Sequence, residues 1–366
     1  MQSNVSADFL IVGAGAIGLT SAQALLQAGY NVTLVERATV GQEASWAGGG
    51  ILSPLCPWDY QESVTRLAQR GMGMFADAAA MLHETTGIDP EYQRSGMLVL
   101  PPSQTELATQ WCAQHQVALQ QVNIAEHLPG YSPRNLQGLE SRGSLLPEVA
   151  QVRNPRLMRA LRARVEMLGG VILEQHEVRQ FEIAGDRVIA LQTTQGKLVA
   201  DSYIVAAGAW SKTLLGEHAL NIDIRPIRGQ ILLFKFDTPP FQNILLKQDL
   251  YLIPRRDGHV LVGSTLEDVG FDKSTTIAAR DNLMKRVCEI FPEWHGLQPM
   301  QHWAGFRPGS PDNIPTIGRH PHLANLYANS GHFRYGVTMS LASAELLLNE
   351  IEARQQPFSV REYSWP

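Results

Sequence analysis

Residues 8–18 read Asp-Phe-Leu-Ile-Val-Gly-Ala-Gly-Ala-Ile-Gly, and residues 31–36 read Asn-Val-Thr-Leu-Val-Glu. The pattern predicts a buried strand, a glycine-rich turn, a helix and a second strand that ends in an acid. In such a unit Gly13 permits the tight turn, Gly15 admits a pyrophosphate close to the backbone, and Gly18 lets the helix lie against its strand. Glu36 has the spacing expected of an acid that accepts hydrogen bonds from ribose hydroxyls. The stretch therefore predicts a dinucleotide-binding site.

The motif alone does not decide which dinucleotide is bound. The predicted helix, from about Ala16 to Ala28, points unpaired N–H groups and the positive end of its dipole at the phosphates of any of them. Arg37 favours the 2′-phosphate of NADP, whereas the neighbouring Glu36 disfavours it. NAD, NADP and FAD therefore all remain candidates on this motif.

The composition of the chain indicates a globular protein of two domains. Its 366 residues are 44% apolar and 18% charged, with a formal net charge of −5, and this length has room for two cores. The acidic balance argues against a nucleic-acid partner. Cys56, Cys112 and Cys288 form neither a disulfide framework nor a zinc pattern, which favours reduced thiols. No apolar run suits an export signal or a membrane span, so we expect a cytoplasmic protein without a membrane partner.

Helix and strand patterns of the α/β type lie at the start, the middle and the end of the chain. Helices are predicted over residues 61–87, 103–130, 154–168 and 337–353, and strand patterns fill about residues 226–317. This order predicts an α/β protein in which a discontinuous Rossmann-like domain carries an inserted α+β substrate domain built on an antiparallel sheet. The predicted division is 1–87, 145–225 and 318–366 for the dinucleotide-binding domain, and 88–144 and 226–317 for the substrate-binding domain.

Four segments together resemble the FAD-dependent D-amino-acid oxidase superfamily, and within it the glycine oxidases. They are Gly13–Gly18 with Glu36-Arg37, Ala44–Leu52, Asp201–Trp210, and Trp303–Gly309 with Gly331–Thr338. The resemblance covers nearly the whole chain and implies an FAD-binding domain, a homotetramer, and oxidation of glycine, sarcosine and small D-amino acids by dioxygen. The implied products are the 2-oxo acid, ammonia and hydrogen peroxide. In the glycine oxidases this activity supplies the thiazole branch of thiamine synthesis.

The resemblance also assigns cofactor contacts. Those implied for FAD are Gly13, Gly15, Ala16, Ile17, Gly18, Glu36, Arg37, Ala44, Ser45, Gly49, Gly50, Ile51, Val178, Gly208, His332, Phe333, Arg334, Tyr335, Gly336, Val337 and Thr338. A helix that begins near Val337 would aim N–H donors at the negative charge of a reduced flavin. Monomeric sarcosine oxidase, a relative in this superfamily, attaches its flavin through a cysteine in a region that here, at residues 305–316, has none. We therefore expect non-covalent FAD.

Three residues are candidates for binding the substrate. A guanidinium holds a carboxylate through two parallel hydrogen bonds, and Arg307 matches the arginine that does this in the family that the chain resembles. Tyr251 resembles the tyrosine whose hydroxyl meets the same carboxylate, and Arg334 resembles a second arginine nearby. Asp249 and Leu266 fall at pocket-lining positions by their spacing from Tyr251. No residue is identified as a catalytic base, and the resemblance implies that positioning and the flavin carry the chemistry.

Other functions stay open. His320 and His322 lack a convincing third ligand, so we expect a solvated loop rather than a metal site. Within the enzymes, the alternatives are a D-amino-acid or sarcosine oxidase, or a dehydrogenase, with a catabolic role. An RNA-modifying flavoprotein is a different class, against which the acidic balance argues. A non-catalytic FAD-binding protein is the third alternative.

Overall fold

The computed structural model describes residues 7–101, 103–128 and 141–366. Its strands, in chain order, are β1 (Ala7–Val12), β2 (Val32–Val35), β3 (Ile51–Leu52), β4 (Gln93–Arg94), β5 (Met97–Val99), β6 (Gln120–Asn123), β7 (Arg142–Leu146), β8 (Ala150–Gln151), β9 (Val171–Leu173), β10 (Val178–Ala184), β11 (Arg187–Thr193), β12 (Gly196–Leu198), β13 (Ala200–Val205), β14 (Arg225–Lys235), β15 (Ile244–Lys247), β16 (Leu250–Pro254), β17 (His259–Gly263), β18 (Gln301–Gly309), β19 (Thr316–Arg319) and β20 (Leu326–Ser330). Its helices are α1 (Ala16–Gln27), α2 (Ala44–Ala47), α3 (Glu62–Thr86), α4 (Thr105–Gln114), α5 (Ile124–His127), α6 (Asn154–Met167), α7 (Ser211–Leu215), α8 (Ile277–Cys288) and α9 (Gly336–Ile351). None of these described helices has both the length and the apolarity that crossing a membrane requires.

The first sheet has six strands in the order β19-β20-β13-β1-β2-β9. β1 lies inside this sheet and pairs in parallel with both β13 and β2, which its buried apolar run favours. Helix α1 follows β1 after the glycine turn and packs against α9. Phe9, Ile11, Leu19 and Leu34 are buried in the core that joins the sheet to its helices. The predicted strand, turn, helix and strand are confirmed.

The second sheet has eight strands in the order β18-β14-β17-β16-β15-β5-β7-β6. Neighbouring strands pair antiparallel, except for β15 and β5, which are parallel. The register sets Gly229 on β14 opposite Gly305 on β18, and Tyr251 on β16 opposite Gly263 on β17. These pairings confirm the α/β class with a largely antiparallel second sheet, and they bring β16 and β18 into one sheet with only β14 and β17 between them.

The strands of the two sheets alternate along the chain. The six-stranded sheet takes its strands from within residues 7–35, 171–205 and 316–330, and the eight-stranded sheet from within 97–146 and 225–309. Strand β19 spans the boundary that we place at residue 318. The division of the chain into two domains at the stated residues stays a prediction.

Local structure differs from the sequence predictions in two places. A single helix over residues 103–130 is wrong, because the described residues there form α4, the strand β6 and the short helix α5, while residues 129–130 lie outside the described ranges. Gln116 has φ 56° and its neighbour Val117 donates back to the Cys112 carbonyl, a turn that ends α4. Helix α8 interrupts a region predicted as strands. Its signal was Thr276, whose hydroxyl accepts a hydrogen bond from the Ala279 N–H as an N-cap.

Candidate active site

A cavity of about 510 Å³ runs from the glycine turn after β1 to strands β16 and β18. Its volume lies within the range of small-molecule and cofactor sites. Residues from both sheets line it, including Val12 and Glu36 at one end and Tyr251 and Arg307 at the other. The cavity therefore connects the predicted dinucleotide site with the predicted substrate residues.

The glycine turn has no space for side chains. Gly13 has φ +106°, and a Cβ there would lie 2.5 Å from the Ala206 carbonyl oxygen. A Cβ on Gly18 would lie 1.9 Å from the Gly13 carbonyl oxygen, so helix α1 packs directly on the turn. Gly13 and Gly15 line the cavity, whereas Gly18 lies outside its lining and serves the packing. The tight turn at Gly13 and the close helix packing at Gly18 agree with the spacing, whereas contact of FAD with Gly13, Gly15 and Gly18 stays a prediction.

Two charged residues end strand β2 at the same part of the cavity. The Glu36 carboxylate accepts hydrogen bonds from the N–H groups of Ala14 at 3.0 Å and Ala38 at 3.1 Å. Arg37 forms an ion pair with Glu43 at 2.8 Å, and its guanidinium carbon lies 3.5 Å above the centre of the Trp210 ring. Both residues line the cavity, as expected for the adenosine end of a dinucleotide.

The segment of small residues after β2 forms the middle of the cavity. Ala44 and Ser45 lie on α2, and the Ser45 hydroxyl accepts a hydrogen bond from the Ala16 N–H at 2.8 Å, at the start of α1. Gly50 has φ +72°, and a Cβ there would lie 2.1 Å from the Val152 carbonyl oxygen. Ala44, Ser45, Gly49, Gly50 and Ile51 all line the cavity, as do Ala16, Ile17, Val178 and Gly208. Glycines at these positions bring backbone, rather than side chains, to the cavity wall.

The turn before α9 closes the opposite wall. His332, Phe333, Arg334, Tyr335, Gly336, Val337 and Thr338 all line the cavity. The Thr338 hydroxyl donates to the Ile51 carbonyl at 3.1 Å, which ties the start of α9 to strand β3. The His332 ring contacts the Ser343 hydroxyl through Nε2 at 2.7 Å, and burial lowers the pKa of this histidine to about 3. The N-terminal end of a helix therefore meets the cavity beside a neutral imidazole.

The arrangement fits FAD. A glycine cradle at Gly13 and Gly15 borders the cavity beside the N-terminal end of α1, and the positive end of the helix dipole there suits a pyrophosphate. The cavity continues from there past Gly49 and Gly50 to the start of α9, where a helix N-terminus suits the electron-rich edge of a flavin.

Arg307 is a half-buried cation that lines the same cavity. Its Nη1 donates to the Thr265 carbonyl at 3.1 Å, and its Nη2 donates to the Ser264 hydroxyl. A Cβ on Gly229 would lie between 2.3 and 2.5 Å from the guanidinium atoms, so only glycine leaves room for this side chain. Burial lowers the pKa of Arg307, which the Tyr251 hydroxyl partly opposes. No ion pair joins Arg307 to an acid within the described ranges, so its charge is available to an anion.

The other predicted substrate residues lie around Arg307. Tyr251 is 8% exposed, and its hydroxyl lies near enough to the Arg307 guanidinium to raise the pKa of that arginine against the effect of burial. A Cβ on Gly263 would lie 2.6 Å from the Tyr251 hydroxyl oxygen, so a glycine again gives the side chain its space. Arg334 lines the cavity, and its charge also lowers the pKa of Arg307. The structure thus brings Arg307, Tyr251 and Arg334 together in one cavity.

The remaining predictions concern Asp249 and Leu266 as pocket-lining residues and the loop at His320. Asp249 and Leu266 both line the cavity, but the Asp249 carboxylate is paired with Arg286, and Leu266 is 51% exposed. The loop expected to be solvated is so only in part, because His322 is exposed whereas His320 is 3% exposed and its Nδ1 accepts from two backbone N–H groups. In the part of the chain that the structure describes, no group of three or more His, Cys, Asp or Glu is placed to hold a metal.

Asn154 shapes the cavity although the sequence patterns gave no sign of it, because it lies far along the chain from the loop that it contacts. Asn154, at the start of α6, lines the cavity and donates from Nδ2 to the Ser45 carbonyl at 2.8 Å. A Cβ on Gly50 would lie 2.5 Å from the Asn154 Oδ1, so this amide fits against the glycine loop. An asparagine beside Pro155 reads as a helix start, and nothing local in the sequence connects it to Ser45.

Comparison with known proteins agrees with this geometry. A family model described as FAD dependent oxidoreductase (DAO) matches residues 8–349. The chain is 42% identical to a glycine oxidase of Pseudomonas aeruginosa over 96% of each chain. It is 28% identical to a protein of Trichormus variabilis named bifunctional protein ThiO/ThiG, over 96% of this chain and 53% of that protein. The crystal structure of glycine oxidase from Geobacillus kaustophilus, 24% identical, matches with a TM-score of 0.91 over 99% of this chain and 98% of that one.

Proposed function

The chain belongs to the DAO family of FAD-dependent oxidoreductases, and from that membership we propose that it oxidises glycine and other small amines. Sarcosine and small D-amino acids are the other substrates of the proposal. Glycine, dioxygen and water give glyoxylate, ammonia and hydrogen peroxide. Sarcosine gives glyoxylate, methylamine and hydrogen peroxide, and a primary D-amino acid gives its 2-oxo acid, ammonia and hydrogen peroxide. The likeness to the glycine oxidase of P. aeruginosa supports this substrate class.

The observation that carries the proposal is the half-buried cation at Arg307, which lines the cavity. A guanidinium in a cavity, without an acidic partner among the described residues, favours a ligand that brings its own carboxylate. This guanidinium and the glycine turn at Gly13 and Gly15 line the same cavity. A small amino acid fits that description, because its carboxylate would occupy the Arg307 end and leave its α-carbon toward the cofactor part of the cavity.

The residues of the chain bind and orient the substrate. Arg307 and Tyr251 hold the carboxylate, and Arg334 adds a second positive charge to the same part of the cavity. When bound, FAD supplies the oxidised ring that takes two electrons and a hydrogen from the substrate and passes the electrons to dioxygen. We assign no catalytic base, and the cofactor contacts proposed above are those carried over from the family.

The biological role is a further part of the proposal. A relative named bifunctional ThiO/ThiG supports a supply of glycine imine for the thiazole moiety of thiamine. A catabolic D-amino-acid or sarcosine oxidase or dehydrogenase is the second candidate, since the family description does not separate these activities. The homotetramer, the cytoplasmic location, non-covalent binding of the flavin and the absence of a nucleic-acid partner are proposals that rest on resemblance and composition.

A substrate panel tests the proposed activity. Purified holoprotein is assayed for hydrogen peroxide with glycine, sarcosine, D-alanine and D-proline, and the expected result is peroxide from glycine. A dehydrogenase would instead reduce an added dye without forming peroxide. If all four compounds yield neither peroxide nor reduced dye, the proposed substrate class is wrong.

A further inference from the structure

The hairpin turn between β16 and β17 contacts the cavity loop at Gly48–Gly50, called the glycine loop below, and the segments near it. Three consecutive residues of the turn make these contacts: Arg255 reaches the Gly49 carbonyl and residues 151–152, Arg256 reaches residue 92, and Asp257 reaches residue 153. Arg256 reaches the Tyr92 carbonyl at 2.9 Å, and Asp257 accepts from Arg153 at 2.8 Å. The turn therefore connects strand β16, which carries Tyr251, to residues 49, 92 and 153, and we call this set of contacts the joint.

Arg255 is the buried member of this joint. It is 4% exposed, and its Nη2 donates to the Gly49 carbonyl at 2.6 Å. Its Nη1 donates to the Gln151 Oε1 at 2.6 Å and to the Val152 carbonyl at 2.9 Å. Arg256, by contrast, is exposed. Arg255 thus connects strand β16 directly to Gly49 and to strand β8, which pairs with β3 beyond the glycine loop.

Arg255 lies among charges without a direct acidic partner. The hydrogen bonds that its Nη1 and Nη2 donate within the described ranges go to neutral carbonyl and amide oxygens. The nearby charges that act on it are those of Arg153, Glu91 and Asp257, and burial is the main cause that lowers its pKa to about 10. A buried guanidinium bound to three neutral acceptors costs desolvation, which favours a role beyond stability.

The loop held by Arg255 packs against the substrate strand. A Cβ on Gly49 would lie 2.5 Å from the Ile253 Cδ1 and 3.3 Å from the Tyr251 Cε2. Gly49 and Tyr251 both line the cavity, one in the part assigned to FAD and the other at the carboxylate end. Their separation is fixed by this packing and by the hydrogen bond from Arg255, which follows Tyr251 on the same stretch of chain.

We propose that Arg255 is a positioning residue that sets the distance between the flavin-binding loop at Gly49–Gly50 and the substrate clamp at Tyr251. The inference rests on the proposed function, because it assigns these two segments to cofactor and substrate. Arg255 acts through the Gly49 carbonyl and touches neither ligand. Since hydrogen transfer depends steeply on the separation of the reacting groups, a loosened joint slows the transfer more than it weakens carboxylate binding.

The variants Arg255→Met and Arg255→Lys test the inference, with Arg256→Met as the matched control on the same turn. Acetate, which is glycine without its amine, reports on the clamp through the change that it causes in the flavin spectrum. Anaerobic reduction of the holoprotein at saturating glycine reports on the transfer. For Arg255→Met we expect reduction to be roughly 10- to 100-fold slower, whereas the acetate dissociation constant changes less than about threefold. Arg256→Met keeps both values.

An unchanged reduction rate in Arg255→Met overturns the inference, and so does a parallel loss of acetate binding. If the methionine variant does not fold, Arg255→Lys decides, because it keeps the charge but cannot serve all three acceptors in the same geometry. A wild-type holoprotein that none of the four panel compounds reduces contradicts the proposed function instead. In that case the dissociation constant of FAD tests whether Arg255 holds the Gly49 loop. If it does, this constant rises in Arg255→Met and stays unchanged in Arg256→Met.

Discussion

Arg307 carries the substrate assignment at the scale of single residues. Its guanidinium reaches this part of the cavity because strand β14 offers Gly229, and it is held there by Ser264 and Thr265. A charge placed in this way favours a bound carboxylate in both the ground state and the transition state. The side chain therefore fixes where the substrate binds and leaves the redox chemistry to the cofactor.

Replacing Arg307 should remove this binding without removing the flavin. In Arg307→Ala a bound carboxylate loses its main partner, and we expect a loss of roughly 2–5 kcal/mol in transition-state stabilisation. The measurement is kcat/KM for glycine, with Arg307→Lys as the comparison that keeps a charge but loses the paired hydrogen bonds. Near-normal kcat/KM in Arg307→Ala would show that another residue binds the carboxylate.

His332 predicts a pH dependence of stability. Burial lowers its pKa in the folded protein to about 3, whereas an unfolded histidine titrates near 6.5. Between these values the unfolded chain binds the extra proton, so this residue makes the free energy of unfolding fall as the pH drops from about 6.5 toward 3. Denaturant unfolding at several pH values should show a shallower dependence in His332→Asn than in the wild type. Equal slopes would contradict this assignment.

At the scale of elements, helix α3 offers a matched pair of glycines. A Cβ on Gly71 would lie 2.0 Å from the Thr338 carbonyl oxygen, whereas a Cβ on Gly73 meets nothing within 4 Å. Gly71→Ala should push the start of α9 away, lower stability by about 1–3 kcal/mol and weaken FAD binding. Gly73→Ala should be neutral or stabilise the helix by about 0.5–1 kcal/mol. Thermal unfolding and flavin titration of both variants test the contact, and identical behaviour of the two would refute it.

The elements also show how far sequence patterns reach. Strong periodicity predicted α3, α6 and α9, and the glycine motif predicted β1, α1 and β2, because local hydrophobic pattern and turn chemistry act there together. The single helix over 103–130 was wrong because the left-handed conformation at Gln116 leaves no mark in the hydrophobic pattern. Helix α8 was missed although its N-cap at Thr276 could have been recognised.

At the scale of the whole molecule, the candidate site depends on contacts that sequence order does not reveal. Tyr251, Arg307 and Arg334 could be named from their resemblance to a family, and the structure places all three on one cavity. Arg255 and Gly49, which are 206 positions apart, could not be connected, since neither stands in a local pattern that points to the other. Long-range packing of two sheets therefore decides the parts of the site that pattern reading leaves out.

The cofactor should also stabilise the whole fold. The cavity wall draws on β1, β2, β16, β18 and the start of α9, so FAD binding favours the state in which all of them are assembled. At a free FAD concentration of 100 times its dissociation constant, we expect about 2.7 kcal/mol of added stability. Thermal unfolding of apoprotein with increasing FAD measures this, and an unfolding temperature independent of FAD would contradict it.

Acid precipitation should leave the flavin in the supernatant, whereas flavin that stays with the protein would show covalent attachment.

Anaerobic mixing of the purified protein with glycine is the most direct test of whether the bound flavin oxidises glycine. We expect a yellow protein whose visible flavin bands bleach on addition of glycine and return with formation of hydrogen peroxide when dioxygen is admitted. We also expect that Arg307→Ala, with its flavin still bound, bleaches far more slowly at the same glycine concentration. A wild-type flavin spectrum that glycine, sarcosine and D-alanine all leave unchanged would contradict the proposed oxidation of small amines.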